Sequence, residues 1–335
     1  MDIDALDTLG RVPHGGVDDP HVLDFSANTN PESPRGTAPV YDAAFSAARR
    51  YPADDYWEFR GAAADYVGCE GPQVIPAAGA LAGMRLLFSV TLSAGDSVLL
   101  PRPSFSEYAH EVRLQGAEPR FVDHDAILDA DPSDHAVAVV CNPNNPTGEA
   151  HSTGRLQAFA QRCREADTTL LVDEAFLDFT DRASLAGEPG VVVARSLTKI
   201  FGLPGLRAGF LVATGDCRDR LETARISWGI SVPAAAVAVH CLDDEAFVLE
   251  TRERVERERE RMRERLATRF SVFPSDAPFL LFDVGDDGVD DVLDEAREAG
   301  IALRDARSFR TLDNHVRTAV RRPAENDRLL DALEV

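Results

Sequence analysis

The strongest constraint on the fold is a regular alternation, from about residue 74 onward, between short apolar runs and amphipathic segments. The apolar runs predict strands at Ser97–Leu100, Ala136–Cys141, Thr168–Val172, Val191–Ala194 and Phe210–Ala213. The segments between them have helical spacing, as at Ala80–Ser93, Phe105–Gln115 and Gly154–Ala166. Apolar strands separated by helices indicate a mainly parallel sheet that is covered on both faces. Ligands of such sheets bind beyond the carboxyl ends of the strands.

The remainder of the chain predicts an arm and a smaller α/β unit. Residues 1–40 are rich in Pro, Gly and Asp, and residues 245–270 predict a long helix whose Glu and Arg residues alternate. Pairing at i+3 and i+4 makes that helix a solvated face rather than a nucleic-acid site. Three later apolar runs predict strands at Phe279–Val284, Ile301–Arg304 and Val316–Val320. We expect an arm (1–40) that packs with the small domain, a large domain (41–230) and a small domain (231–335).

The composition excludes several classes of partner. The chain has 57 acidic and 35 basic residues, a net charge of −22 and a pI near 4.7, so its field repels nucleic acid and anionic membranes. We interpret the acid excess as adaptation to high salt. Five scattered cysteines without metal-like spacing predict reduced thiols and no metal site. The acidic start and the absence of long apolar runs predict a cytoplasmic protein.

Lys199 is the only lysine, since the remaining 34 of the 35 basic residues are arginines. An arginine stays protonated and is a poor nucleophile, whereas a desolvated lysine amine can condense with an aldehyde. Ser196 and Arg207 lie near Lys199 along the chain, and a hydroxyl beside a guanidinium suits a phosphate monoester. The cofactor that combines an aldehyde with a phosphate is pyridoxal 5′-phosphate. Asp173, at the end of a predicted strand, is a candidate partner for its pyridine nitrogen.

A third motif, Asn142-Pro-Asn-Asn-Pro-Thr-Gly148, directly follows another predicted strand. The order Asn-Asn-Pro-Thr-Gly, Val-Asp-Glu-Ala-Phe, Ser-Leu-Thr-Lys…Gly-Leu-Arg resembles the fold-type-I pyridoxal-phosphate enzymes of the class I/II aminotransferase superfamily. The resemblance covers essentially the whole chain. It is greatest to histidinol-phosphate aminotransferase and to its relative, the L-threonine-O-3-phosphate decarboxylase of cobalamin biosynthesis. It implies an α/β fold with a mainly parallel sheet in an α/β/α large, cofactor-binding domain plus a small α/β domain.

The resemblance also implies roles for individual residues. Lys199 would bond to the cofactor and later carry protons, and Asp173 would pair with the pyridinium nitrogen. The other implied cofactor contacts are Asn145 at the phenolic oxygen, Ser196 and Arg207 at the phosphate, Phe105 against the ring, and Tyr51 reaching into the neighbouring subunit of a homodimer. The implied contacts to a small phosphorylated amino-acid substrate are Arg317, Arg321, Arg322, His14 and Asn28.

Two positions depart from the family pattern. Gly79-Ala80-Leu81 stands where the family usually has polar residues, so that Ala80 and Leu81 offer only backbone N–H groups to the cofactor phosphate. Phe176 stands where aminotransferases of this branch have a tyrosine that donates to the phenolic oxygen. The loss of one such hydrogen bond is worth about 1.5–3 kcal/mol.

The sequence indicates only indirectly which bond at the Cα of the substrate breaks. His14-Gly-Gly16, Phe25–Pro31, Asp173–Phe179 and Ala319–Asn326 all resemble the decarboxylase branch. The first prediction is therefore decarboxylation of L-threonine O-3-phosphate to (R)-1-amino-2-propanol O-2-phosphate. The alternative is histidinol-phosphate aminotransfer with glutamate. A third hypothesis, a cofactor-sensing regulator on the same fold, would need a DNA-binding extension that the sequence does not indicate.

Overall fold

The computed structural model describes residues 1–335. The helices are α1 (Ile3–Thr8), α2 (Thr37–Phe45), α3 (Trp57–Val67), α4 (Ala80–Thr91), α5 (Glu107–Leu114), α6 (Thr153–Glu165), α7 (Gly215–Ala224), α8 (Val232–Leu242), α9 (Glu245–Leu266), α10 (Val289–Glu298) and α11 (Pro323–Ala332). The strands are β1 (Leu23–Asp24), β2 (Val74–Ala77), β3 (Ser97–Arg102), β4 (Glu118–Asp123), β5 (Val137–Cys141), β6 (Thr169–Asp173), β7 (Val191–Ser196), β8 (Gly209–Val212), β9 (Ser271–Val272), β10 (Phe279–Asp283), β11 (Ile301–Ala302), β12 (Arg304–Asp305) and β13 (His315–Ala319).

Seven strands form the central sheet, in the order β2-β8-β7-β6-β5-β3-β4. Neighbours from β7 through β4 pair in parallel, and β8 pairs antiparallel with both β7 and β2. Every residue of β5 is buried, as is every residue of β7, because helices cover both faces of the sheet. The predicted α/β architecture with a mainly parallel sheet is confirmed. Strand β8 was predicted as a strand, whereas its antiparallel direction and the edge strands β2 and β4 were not.

A second, four-stranded antiparallel sheet in the order β12-β13-β10-β9 lies in the C-terminal part of the chain. The arm joins it through β1, which pairs in parallel with β11, and through the Ala319 N–H, which donates to the Phe25 carbonyl at 2.9 Å. The arm then runs toward the carboxyl ends of β5, β6 and β7. Its residues therefore reach the same edge of the central sheet as the predicted motifs.

Helix α9 has the predicted self-paired polar face. Its buried positions, Val248, Thr251, Val255, Glu258, Met262 and Leu266, recur every three or four residues, as one face of a helix requires. On the opposite side Arg263 pairs with Glu260 three residues earlier at 2.5 Å. No helix of the structure is both long enough and apolar enough to span a membrane.

Candidate active site

A cavity of about 370 Å³ opens at the carboxyl ends of the parallel strands, between the two domains and under the arm. Strand order brings together residues that are far apart in sequence, because β5, β6 and β7 are neighbours and end at the same edge. Eleven of the predicted site residues line the cavity: His14, Asn28, Ala80, Leu81, Phe105, Asn145, Asp173, Ser196, Lys199, Arg207 and Arg317.

Lys199 lies at the bottom of this cavity, just after β7. Its Nζ is 5.6 Å from the centroid of the Phe176 ring, and the surrounding protein replaces much of its water. Burial, and then the positive charge of Arg317, lowers the pKa of Lys199 to about 8, while the Asp173 carboxylate opposes the change. A lysine with that pKa is a substantially better nucleophile near neutral pH than a solvated one.

This lowered pKa predicts a pH dependence for cofactor capture. Below pH 8 most of the Lys199 side chain is ammonium, which cannot attack an aldehyde. We expect the rate at which the apoprotein captures pyridoxal phosphate to rise about tenfold per pH unit below 8 and to level off above it. Stopped-flow absorbance between pH 6.5 and 10 measures this rate. A rate that climbs steadily to pH 10 would mean an unperturbed lysine.

Asp173 is held rigidly at the end of β6. Its Oδ2 accepts a hydrogen bond from the Tyr108 hydroxyl at 2.5 Å, and its Oδ1 accepts one from the Ala175 N–H at 3.0 Å. Burial raises the pKa of Asp173, whereas these two donors and the charge of Lys199 act in the opposite direction. A fixed carboxylate in a dry site gains most from a cationic partner, such as a protonated ring nitrogen.

One end of the cavity has the donor set that a phosphate group requires. Ser196 and Thr198 place their hydroxyl oxygens 2.8 Å apart, and the Arg207 guanidinium lies at the start of α4, 3.4 Å from the Ala78 carbonyl. Gly79 has φ +92°, and a Cβ at this position would fall 2.5 Å from Arg207 Nη2. Glycine thus keeps the space between the helix N-terminus and Arg207 open. The residues present fit the phosphate of pyridoxal 5′-phosphate.

Asn145 and Phe105 lie where the pyridine ring is expected. The Asn145 Oδ1 accepts a hydrogen bond from Arg317 Nη1 at 2.5 Å, which leaves the amide nitrogen free as a donor toward the cavity. Phe105 packs edge-to-face on Tyr108, with ring centroids 5.5 Å apart. Phe176 is buried and packs edge-to-face on Phe279 at 5.1 Å. No hydroxyl occupies its position.

The opposite end of the cavity carries unbalanced positive charge. Arg304 and Arg317 are paired across β12 and β13, and both line the cavity. Burial, and then the charge of Arg304, lowers the pKa of Arg317 to about 9. The Arg317 Nε and the Asn28 Oδ1 are buried without a hydrogen-bond partner. Two adjacent guanidinium groups and unpaired polar atoms are typical of a site that binds an anionic ligand.

Three predicted residues lie outside the cavity. Arg321 donates to the Asp24 carbonyl at 3.0 Å and pairs with Glu325 at 3.2 Å. Arg322 pairs with Glu32 at 3.2 Å. The chain turns into α11 directly after β13, so both arginines join the arm to that helix, and the geometry does not support their predicted contact with substrate. Tyr51 is 78% exposed and does not line the cavity of its own chain.

Sequence reasoning missed three residues that shape the cavity. Tyr108 follows Phe105 by one helical turn, Thr198 directly precedes Lys199, and Arg304 lies on the strand that pairs with Arg317. A helical spacing from the aromatic residue would have suggested Tyr108. The position of Arg304 follows only from strand pairing, which the sequence does not reveal.

A buried ion network lies behind the two catalytic candidates. Arg195, next to Ser196, donates to Glu174 Oε2 at 3.0 Å and also bonds to Asp178. Glu174, next to Asp173, further accepts hydrogen bonds from the Ser184 hydroxyl and the Leu185 N–H. The network ties the ends of β6 and β7 together. It therefore fixes the separation of the residues that follow those strands.

Replacing Arg195 with Met is expected to destabilise the protein. The Glu174 carboxylate is 1% exposed, and removing the partner of a buried charge costs about 3–5 kcal/mol. Urea denaturation of the apoprotein measures the loss. Arg263→Met is the matched control, since its ion pair with Glu260 is exposed and should contribute less than about 1 kcal/mol. Equal losses in both variants would contradict the structural role of the network.

Comparison with known proteins relates this cavity to a described family. The model of the family described as aminotransferase class I and II matches residues 20–333. The chain is 31% identical over 328 residues to histidinol-phosphate aminotransferase 2 of Archaeoglobus fulgidus, covering 94% of this chain and 93% of that protein. It is also 31% identical over 341 residues to threonine-phosphate decarboxylase of Salmonella typhimurium, covering 95% and 91%. Most of the similar curated relatives carry the aminotransferase name.

The fold comparison agrees with the sequence comparison. Histidinol-phosphate aminotransferase from Sinorhizobium meliloti, solved in complex with pyridoxal-5′-phosphate, superposes with a TM-score of 0.89 at 22% identity. The match covers 99% of this chain and 96% of that one. At this identity the likeness establishes the fold, and the expected fold-type-I architecture is confirmed.

Proposed function

The chain belongs to the aminotransferase class I and II family, whose enzymes depend on pyridoxal 5′-phosphate, and we propose that it uses this cofactor to transform a small phosphorylated amine at Cα. One observation carries the proposal: Lys199, Asp173 and a phosphate-binding end face one cavity whose other end holds Arg304 and Arg317. That cavity offers separate places for a cofactor and for an anionic substrate.

Within this proposal the cofactor supplies a sink for the electron pair that remains on the substrate's Cα when a bond there breaks. Lys199 would anchor the cofactor, and its amine would carry the proton at the substrate's Cα. Asp173 would keep the ring nitrogen positively charged, and Asn145 would donate a hydrogen bond to the phenolic oxygen. Arg207 would bind the cofactor phosphate. All four residues line the cavity.

Two reactions remain candidates, and the similar relatives and the arm favour different ones. The names of the similar relatives favour histidinol-phosphate aminotransfer. The arm favours decarboxylation of L-threonine O-3-phosphate, because His14 and Gly15 belong to the decarboxylase-like His-Gly-Gly segment and line the cavity. A Cβ on Gly15 would fall 2.6 Å from the Ser26 carbonyl oxygen, so this segment requires glycine for its close approach. We propose decarboxylation on this basis, with aminotransfer as the second candidate.

Dependence on an amino acceptor distinguishes the two reactions. The holoenzyme is incubated with L-threonine O-3-phosphate without any keto acid, and separately with histidinol phosphate and 2-oxoglutarate, with Lys199→Ala as the inactive control. Our proposal predicts CO2 release in the first mixture. Turnover only in the second, with strict need for 2-oxoglutarate, would establish the aminotransferase instead. Turnover in neither would overturn the assignment to small phosphorylated amines.

The missing hydroxyl at position 176 gives a spectroscopic prediction. In Phe176→Tyr the new hydroxyl would donate to the cofactor's phenolic oxygen and stabilise its deprotonated form. Because such a bond is worth about 1.5–3 kcal/mol, the pH midpoint of the visible absorbance change should fall by about one to two pH units. A spectrophotometric titration of the variant measures the midpoint. A titration identical to that of the parent would contradict this role.

We also propose that the enzyme is a homodimer in which Tyr51 completes the neighbouring site. Tyr51 packs against Trp228 with ring centroids 4.6 Å apart, and both are exposed, as are Phe45, Trp57 and Ile226. Exposed apolar patches of this kind mark protein interaction sites. If sites are shared, mixing Lys199→Ala with Tyr51→Ala subunits creates hybrids with one intact site. Activity should return to at most about a quarter of the parent, and no recovery despite subunit exchange would contradict sharing.

A further inference from the structure

Glu107 is a buried carboxylate that the proposed chemistry does not use. It is the first residue of α5 and is 7% exposed. Its Oε1 lies 2.7 Å from Nε2 of His14 in the arm. A carboxylate is seldom buried to this extent without a partner, and His14 is the group that its oxygen contacts. The pair connects the large domain directly to the arm.

The backbone on both sides of His14 is also held in place. The Pro13 carbonyl accepts a hydrogen bond from Arg304 at 3.1 Å, and the Gly16 N–H donates to the Ser26 hydroxyl at 2.8 Å. His14 therefore cannot move away from Glu107 without breaking these contacts. Its ring lines the cavity near Phe105, with centroids 6.1 Å apart.

The charged groups around the arm indicate what the Glu107–His14 pair contributes to the cavity. The charged groups that face this segment are Glu107 from α5, Asp24 from β1, Arg304 from β12 and Arg317 from β13. The carboxylate behind His14 fixes the direction of its ring, so that the ring adds a hydrogen-bonding group to the cavity beside the two arginines.

We propose that Glu107 is a positioning residue that holds the His14 ring in one orientation through its Nε2, so that the arm contributes this ring to the anionic end of the substrate. Glu107 acts only through His14 and does not line the cavity. The proposal rests on the proposed function, since it assigns the pair to a phosphorylated substrate. It also explains how an arm residue can bind a dianion although half of its side chain is exposed.

Sulfate binding to the holoenzyme tests the pair without requiring turnover. Sulfate remains a dianion between pH 5 and 9, so its own charge does not change during the measurement. Calorimetry gives the Kd of sulfate. Glu107→Gln and His14→Ala should each weaken sulfate binding about tenfold. Because Glu107 acts through His14, the double variant should bind no more weakly than His14→Ala alone. Additive losses, or an unchanged Kd in Glu107→Gln, would overturn the proposal.

Glu111→Gln is the matched control on the same helix. Glu111 is 1% exposed and pairs with Arg85 at 2.6 Å, away from the arm. Its substitution should leave the sulfate Kd unchanged, and an equal weakening would reveal a general disturbance of α5. If Glu107→Gln does not fold, the exposed-arm variant His14→Gln serves instead. His14→Gln should weaken sulfate binding about tenfold, and an unchanged Kd would overturn the proposal.

The outcomes separate this inference from the proposed function. With L-threonine O-3-phosphate as substrate, Glu107→Gln should raise KM about tenfold and leave kcat nearly unchanged. If the parent turns over neither candidate substrate, the proposed function fails. The sulfate affinities of the single and double variants still decide whether the Glu107–His14 pair contributes to anion binding. If turnover is normal and the losses of sulfate affinity in Glu107→Gln and His14→Ala add up in the double variant, only the positioning role fails.

Discussion

Lys199→Arg is expected to lower turnover by at least about 10⁴-fold, although the substitution preserves the positive charge. A guanidinium stays protonated, so it can neither bond to the cofactor's aldehyde nor exchange a proton at Cα. With no other lysine in the chain, no neighbouring side-chain amine can substitute. Steady-state assays and the visible absorbance of the purified variant measure the loss.

Two controls separate chemistry from folding in this variant. The thermal unfolding of the Lys199→Arg apoprotein should stay close to that of the parent, because Lys199 lines a cavity and forms no ion pair. Adding a small primary amine such as methylamine to Lys199→Ala should restore a fraction of the activity, since the amine can carry the proton. Activity in Lys199→Arg within tenfold of the parent would contradict the catalytic assignment.

Asp173→Asn is expected to lower kcat/KM by about 10²–10³-fold, the usual cost of removing one preorganised electrostatic partner. The amide fills the same volume, and its one oxygen can still accept from the Ala175 N–H while its NH2 group faces the Tyr108 hydroxyl oxygen as a donor, but it cannot keep the ring nitrogen positively charged. Cofactor affinity should weaken as well. Steady-state kinetics and the fluorescence of cofactor binding measure the two effects.

Two variants distinguish a lost charge from a displaced side chain. Tyr108→Phe removes the donor to Asp173 and retains the carboxylate, so its loss of activity should be clearly smaller than that of Asp173→Asn. Asp173→Glu keeps the charge but lengthens the side chain in a buried, filled position. If Asp173→Asn were as active as the parent, the carboxylate would have no part in the chemistry.

Much of the large domain could be predicted because its strands have a strong local signature. The apolar runs that became β3, β5, β6, β7 and β8 are buried on both faces, so each reads as a short apolar run rich in Val and Leu. The edge strand β4, Glu118–Asp123, is polar and half-exposed, and alternation of this kind is easily taken for a loop. The direction of β8 depends on how the chain returns to the sheet, which no local pattern records.

The site was predictable where a residue lies at or shortly after the end of a strand. Asp173 and Ser196 end buried strands, Asn145 and Lys199 follow such strands, and adjacent parallel strands bring their ends together. The arginines were harder to assign. Arg317 lies within β13 and points into the cavity, whereas Arg321 and Arg322 follow the strand and turn toward α11. Sequence proximity alone could not separate the three, and Glu107 gave no signal because its partner is 93 residues away.

The most direct test of the central claim is to locate the covalent bond between the protein and its cofactor. The holoenzyme is reduced with borohydride, digested, and mapped by mass spectrometry. The account predicts one phosphopyridoxyl group per chain, carried by the peptide that contains Lys199, with none on the α-amino group and none in Lys199→Ala. An unlabelled Lys199 peptide in a protein that still binds the cofactor and turns over substrate would contradict it.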